Sequence, residues 1–262
     1  MSALVYVYAV LPRTLAIQIK GIDGQPVRWV VDDDLAAAVS DVAEEDFDEQ
    51  HLNEHVRDLS WLGPRAVAHQ EVNYRLHEAS EAAVPLAFGT VFRNDDRVRQ
   101  LLREQHPQLA ARLEAVHGRA EWVVTLHAPA QPGAEELASA SPAIQAAHQE
   151  IASSSPGRAH LLQRRLAQLE KDELRRIQSE SAEEVVTRLR TVAADVYLEP
   201  LPTDKLDRPL LRASVLVPRD REAQFVDEIE RMRARWPEPS YPLLLTGPWP
   251  AYRFGGIQRE GA

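Results

Sequence analysis

Apolar residues follow two rhythms along the chain. Near the start, "ALVYVYAVL" (residues 3–11) is apolar at every position, rich in Val and Tyr, and closed by Pro12. That is the pattern of a strand buried on both faces. "VRWVV" at 27–31 predicts a second strand. Between Asp32 and Glu54 the chain then carries ten acids and no Lys or Arg, so this segment is expected to leave the core and run through solvent. From Glu49 to Leu62 the apolar positions Leu52, Val56, Leu59 and Leu62 recur at three and four residues. This spacing predicts an amphipathic helix that Gly63 stops and Pro64 restarts at its favoured first position, with a second helix running to about Ala79.

"AAVPLAFGTVF" (82–92) reads as the next strand. Pro85 in its first half calls for an edge or a bend, and Gly89 for a bulge or a close backbone approach. Asn94 is placed to cap a helix whose first turn holds Asp95 and Asp96, at the positive end of the helix dipole. That helix breaks at Pro107, resumes through "LAARLEAV" and ends at Gly118. "AEWVVTL" returns as a strand. Residues 128–157, rich in Ala, Pro, Ser and Gly, read as a linker with room for one short helix near Ile144 to Ile151.

Beyond the linker, apolar residues at 162, 166, 169, 177, 185, 189, 192 and 196 keep three-and-four spacing with no Pro or Gly between them. They predict one long helix, with a kink near "SES" at 179–181, packed on a sheet because its heptads are irregular. "VYLEPL", "LLRASVLVP", "REAQFVDEIERMRARW" and "SYPLLLTGPW" follow as strand, strand, helix and strand. With the long helix this makes α-β-β-α-β, a ferredoxin-like sandwich missing its first strand. The expected architecture is α+β in two lobes, each a small sheet with helices packed on it, joined by a long helix. Residues 1–127 form the first domain, 128–156 the linker and 157–262 the ferredoxin-like second domain.

Composition narrows the function. Forty acidic against thirty basic side chains give a net charge of -10, a surface that repels a phosphate backbone, so nucleic acid is not an expected partner. The absence of cysteine excludes disulfides and thiolate chemistry. No stretch approaches the apolar length of a membrane span, and "MSALVYVYAVLPRT" lacks a basic signal-type start, so the expected location is the cytoplasm, with no membrane partner.

One motif carries candidate chemistry. "HLNEH" at 51–55 matches H-x-x-E-H: on a helix His51 and His55 share a face, and Glu54 could activate a zinc-bound water. Its flanks are polar, no cysteine is present, and no third ligand is singled out. Neither G-x-G-x-x-G nor G-K-[ST] occurs, which disfavours a phosphate ligand. No cofactor or metal is assigned from the residues, and no catalytic residue.

Three stretches taken together, "WLGPRAVAH" leading into "VPLAFGTVF", then "GRAEWVVTL", then "LTGPWPAYRF", resemble the gas vesicle protein GvpF/GvpL family. Trp61, His69, Val84, Pro85, Leu86, Phe88, Gly89, Thr90, Glu121, Trp122, Gly247, Pro248, Trp249, Pro250, Tyr252 and Phe254 fall on its pattern. Ala87 departs from it where a basic residue is usual, Ala251 replaces a proline, and His160 stands where Tyr is common. The resemblance implies a non-enzymatic accessory protein of gas vesicle assembly, binding the small hydrophobic shell protein as escort or nucleation factor, together with other accessory proteins, and gas vesicle associated in the cytoplasm. "HLNEH" is not part of the shared pattern. A zinc-dependent hydrolase using His51, Glu54 and His55, and a ligand-binding ferredoxin-like regulatory module, are the alternatives. Candidate partner-binding residues are Phe88, Gly89, Thr90, Phe92 and Arg93 at the exit of the first-lobe strand, and Trp249 and Tyr252 in the aromatic tail. The tail residues read first as caps of the second core, and Trp249 between two prolines also as a rigid anchor.

Overall fold

The computed structural model describes residues 3–128, 141–201, 209–235 and 242–256. Residues 129–140 of the expected linker, and residues 240–241 at the start of the expected last strand, lie outside these. The chain divides into two compact units, one of residues 1–122, 216–220 and 246–262, the other of residues 123–215 and 221–245.

The first unit is built on β1 (Ala3–Leu11), with β3 (Leu35–Ala43) on one side and the short β4 (Val84–Pro85) and β5 (Val91–Phe92) on the other. β2 (Arg28–Asp32) pairs with β3 at the edge, and all these pairings are antiparallel. β1 is buried on both faces, as its unbroken apolar run requires. Its register with β3 slips between Val7 and Ala9. This bulge turns Ala9 and Leu11 to the same side as Leu4, Tyr6 and Tyr8, while Val5, Val7 and Val10 face the other core.

On the valine side pack α4 (Asp95–Glu104) and α5 (His106–Val116), through Val98, Leu102, Leu109 and Leu113. On the tyrosine side lie α1 (Glu44–Phe47), α2 (Glu49–His55) and α3 (Leu59–Ala79), which contribute Phe47, Val72 and Leu76. Asn94 caps α4 by accepting from the Arg97 N–H at 3.1 Å, and Pro107 opens α5, as the sequence predicts.

Three expectations are corrected here. The acid-rich segment does not run through solvent: its Leu35–Ser40 portion is uncharged and forms most of the buried strand β3, with the acids gathered at its ends. Asp41, the one acid inside β3, is exposed and paired with Arg28 at 2.7 Å. Burying Leu35 and Val39 is worth about 1.5–3 kcal/mol each, which a window average of charge conceals. The second correction is that the helix break falls at Val56–Asp58, not at Gly63. Asp58 accepts from the Ser60 N–H at 2.9 Å and starts α3, which passes through Pro64. That cap and the packing of Trp61, Val72 and Leu76 outweigh the single backbone hydrogen bond lost at the proline. Finally, "AAVPLAFGTVF" is not one strand: β4 and β5 are separated by a turn in which the Thr90 N–H donates to the Ala87 carbonyl at 3.2 Å.

The second sheet has the order β7-β8-β6-β9, formed by β6 (Arg119–His127), β7 (Asp195–Leu198), β8 (Pro209–Pro218) and β9 (Leu243–Trp249). Helix α7 (Pro156–Val192) follows β6 after the shorter α6 (Pro142–Ala152), and α8 (Glu222–Arg235) links β8 to β9. This is the β-α-β-β-α-β order of a ferredoxin-like sandwich. The strand that the α-β-β-α-β reading lacked is β6, which the sequence reading grouped with the first half. At 1.5 Å per residue the 37 residues of α7 span roughly 55 Å. Its first half packs on α6 around Ile144 and Leu166, and its second half buries Val185 and Leu189. Glu228 of α8 accepts from Arg188 of α7 and from Arg231, both at 2.9 Å.

Candidate functional site

The residues that carried the resemblance converge in the first unit. Tyr6, fully buried on β1, accepts a hydrogen bond from the Gly89 N–H at 3.0 Å, and its hydroxyl lies 2.9 Å from His69 Nδ1 on α3. The Asn73 amide stands 3.0 Å from the other ring nitrogen, Nε2. The rings of Tyr8, Phe47, His69 and Phe88 surround Tyr6 with centroids 4.9–6.0 Å away. Burial pushes the His69 ring down to about 4 and raises the Tyr6 hydroxyl far above its ordinary value. At neutral pH the imidazole is uncharged and the phenol protonated, both far from the range in which proton transfer is efficient. The network's chemistry is therefore to hold the β4–β5 turn on α3, with the polar atoms of Tyr6 and His69 satisfied in a dry interior.

The other matching stretches also meet. Glu121 on β6 accepts from the Arg253 N–H at 2.7 Å, and Gly247 lies against Trp122 so closely that a Cβ there would sit 3.0 Å from the indole and from the Glu121 carbonyl oxygen. With φ +134 only glycine fits that position.

The structure separates the residues singled out as partner-binding. Phe88 is half-buried among the aromatic rings. Gly89 is buried with φ +82, and its close approach is internal: a Cβ there would lie 2.9 Å from Leu52 Cδ2. Thr90 donates its hydroxyl to the Ala87 carbonyl at 2.7 Å. Phe92 and the exposed Arg93 line a groove of about 410 Å³ with Arg97, Leu101 and Glu104 of α4. Tyr252 turns inward, donating to Gln70 Oε1 at 2.9 Å, and burial raises its hydroxyl to about 12. Trp249 remains 37% exposed beside α3.

Trp249 shapes a largely apolar surface of this unit. With Ala66, Val67, Gln70, Glu71 and Tyr74 of α3 it encloses a groove of about 540 Å³. Val67 is 70% exposed, and Leu59 on the same helix 80%. Sequence reasoning missed Val67 and Tyr74, as well as Tyr6, Asn73 and Leu52. Val67 and Tyr74 carried a signal in that they break the polar face of an amphipathic helix, whereas Leu52 fits the helical spacing and gives no hint of what it covers.

The rings of His51 and His55 lie 6.1 Å apart, each engaged by its own neighbours. His51 Nδ1 lies 2.9 Å from the Asp48 carboxylate, the side chain that caps α2 and holds the imidazole's proton affinity above its ordinary value. His55 stacks on Trp61 at 4.9 Å, with Nδ1 3.3 Å from the Asp46 carbonyl oxygen. Among the described residues, the grouping that brings three potential metal-ligating side chains together is Asp33, Asp34 and His106, at the surface. Also among the described residues, no helix is long and apolar enough to cross a membrane.

A family model described as gas vesicle synthesis protein GvpL/GvpF matches residues 4–255. The chain belongs to the GvpL/GvpF family. It is 34% identical over 270 residues to gas vesicle protein L of Streptomyces sp., covering 97% of this chain and 94% of that protein. It is 27% identical over 262 residues to gas vesicle protein L2 of Halobacterium salinarum, covering 95% and 90%. The fold is that of crystallised GvpF from Anabaena sp., with a TM-score of 0.76 at 18% identity over 98% of this chain and 100% of that one. GvpF from Microcystis aeruginosa gives a TM-score of 0.69 at the same identity and coverage. Membership of the GvpL/GvpF family assigns the protein a role in gas vesicle formation.

Proposed function

We propose that this GvpL/GvpF protein binds the small hydrophobic shell subunit of the gas vesicle and escorts it into assembly. A subunit that will face gas exposes a large apolar surface beforehand, and such a surface aggregates unless something covers it. The observation that carries the reading is the groove between α3 and Trp249, an apolar cleft on an otherwise acidic protein, with Val67 standing open beside a rigid indole. Anchors of this kind, an exposed aromatic with an aliphatic neighbour and a polar rim, dominate binding energy at interfaces. The Phe92–Arg93 groove is the second contact, next to the β4–β5 edge where a strand can be added.

The test is capture of tagged shell subunit by the full chain and by Trp249→Ala, Val67→Asp and Arg93→Glu variants, each first checked for native circular dichroism. Trp249→Ala and Val67→Asp should each weaken capture on the order of tenfold or more while leaving the fold intact. Arg93→Glu should weaken it less. Capture unchanged in both groove variants would remove the groove from the reading, and a gene deletion that leaves normal vesicles would remove the function.

A further inference from the structure

The α6–α7 hairpin of the second unit has a thin core. Ile144 and Leu166 are its buried residues, flanked by half-buried Ala147, Ile151, Leu169 and Ile177. The opposite face of α7 is open and basic: Leu161 is 67% exposed, and Arg164, Arg165 and Lys171 follow it at spacings that keep them on one side of the helix. Arg175 and Arg176 nearby are paired with Asp172 and Glu173, yet among the described residues Arg164, Arg165 and Lys171 have no ion-pair or hydrogen-bond partner. Between Pro142 and Gln178 six Lys and Arg stand against four Asp and Glu, in a chain whose net charge is -10.

A surface of opposite character lies in the first unit. Glu44, Glu45, Glu49 and Glu54 of α1 and α2 are exposed, and none is in an ion pair among the described residues. Val56, 38% exposed, follows them at the end of α2. Each surface thus combines an exposed aliphatic residue with unpaired charge mainly of one sign, Arg57 beside Val56 being the exception on the acidic side, and the prevailing signs are opposite.

We propose that the basic face of the α6–α7 hairpin docks on the acidic α1–α2 segment of a second copy of this chain. Because the two surfaces differ, the contact is head-to-tail, and repeating it extends an open chain of copies unless the rotation closes a ring. Because both are solvent-exposed, the contact is weak, reversible and screened by salt, the Debye length falling from about 10 Å at 0.1 M to about 3 Å at 1 M.

Sedimentation velocity of the full chain tests this. In about 0.05 M salt the weight-average mass should rise past a dimer with increasing concentration, and in about 0.5 M salt it should return to the monomer. R164E/R165E and E45K/E49K variants, all altered at exposed positions, should each stay monomeric in low salt. Mixed in equal amounts they should associate again, since each then offers what the other lacks. A wild-type chain that is monomeric in low salt up to about 0.2 mM, or charge variants that associate as the wild type does, overturns the proposal. So does a mixture that fails to recover association.

Discussion

Replacing Gly89 separates what this position does for the fold from what the neighbouring surface does for a partner. The residue has φ +82, a region that costs an L-residue about 1–2 kcal/mol. A Cβ there would lie 2.9 Å from Leu52 Cδ2, so the Leu52 side chain must also move to reach ordinary contact. Leu52 is only half-buried, and its displacement adds on the order of 1 kcal/mol, while the reduced freedom of the unfolded chain returns about 0.4–1 kcal/mol. Gly89→Ala should therefore destabilise by about 1–2.5 kcal/mol net, and Gly89→Val by more, since a branched side chain meets the same conformation with greater crowding.

Urea denaturation measures this directly, and a double-mutant cycle with Leu52→Ala divides the two causes. In the Leu52→Ala background the methyl group has room, so Gly89→Ala should cost only the backbone part, leaving a coupling of at least about 0.5 kcal/mol. Shell-subunit capture, corrected for the folded fraction, should not change. Gly89→Ala as stable as the wild type would show that the left-handed conformation is not enforced. Coupling near zero would show that Leu52 does not close this position, and a specific loss of capture would return Gly89 to the binding surface.

Two further outcomes follow from packed positions of the first unit. His69 and His77 are both held near 4 in the folded state, His69 by burial and His77 by burial together with the adjacent Arg219, against 6.5 when unfolded. A depressed histidine binds fewer protons folded than unfolded, so its stability is fully present above about 6.5 and is lost as pH falls towards 4, at up to about 1.4 kcal/mol per pH unit for each ring. Denaturation midpoints at pH 7, 6 and 5 should drop steadily, and less steeply in His77→Gln; equal slopes would refute the assignment. Gly247→Ala should destabilise by about 2 kcal/mol or more, because φ +134 is closed to alanine and its methyl would press on the Glu121 carbonyl and the Trp122 ring; a thermal midpoint within about 2 °C of the wild type would refute it.

What could be read from the sequence depended on whether the deciding interaction was local. The Asn94 cap, the Pro107 break and the doubly buried β1 are properties of a few adjacent residues, and they stand as read. β3 was hidden because ten acids dominate any average over Asp32–Glu54, although Leu35–Ser40 is free of charge. Gly63 and Pro64 are stronger punctuation than Asp58 and Ser60, yet the weaker pair forms the helix start because its side chains cap it. The pairing of β6 with β8 and β9 joins distant segments, and no periodicity carries that information. Of the residues lining the two proposed grooves, Trp249 and Arg93 are singled out by the sequence, whereas the α3 wall beside Trp249 waits on the fold.

The "HLNEH" motif is built into the packing of the first unit. His51 and His55 are one helical turn apart because that turn must satisfy three neighbours at once. Asp48 caps the helix and engages the first imidazole. Leu52 closes the space above Gly89. The second imidazole stacks on Trp61, whose ring also lies 4.4 Å from the Arg65 guanidinium. Both imidazoles are engaged through Nδ1 or by ring stacking, and the helix that carries them covers Gly89 through Leu52. Gly89 in turn donates to Tyr6, and Tyr6 positions His69. The motif is thus the outer layer of the same packed network, and through Leu52 it covers the β4–β5 turn at Gly89.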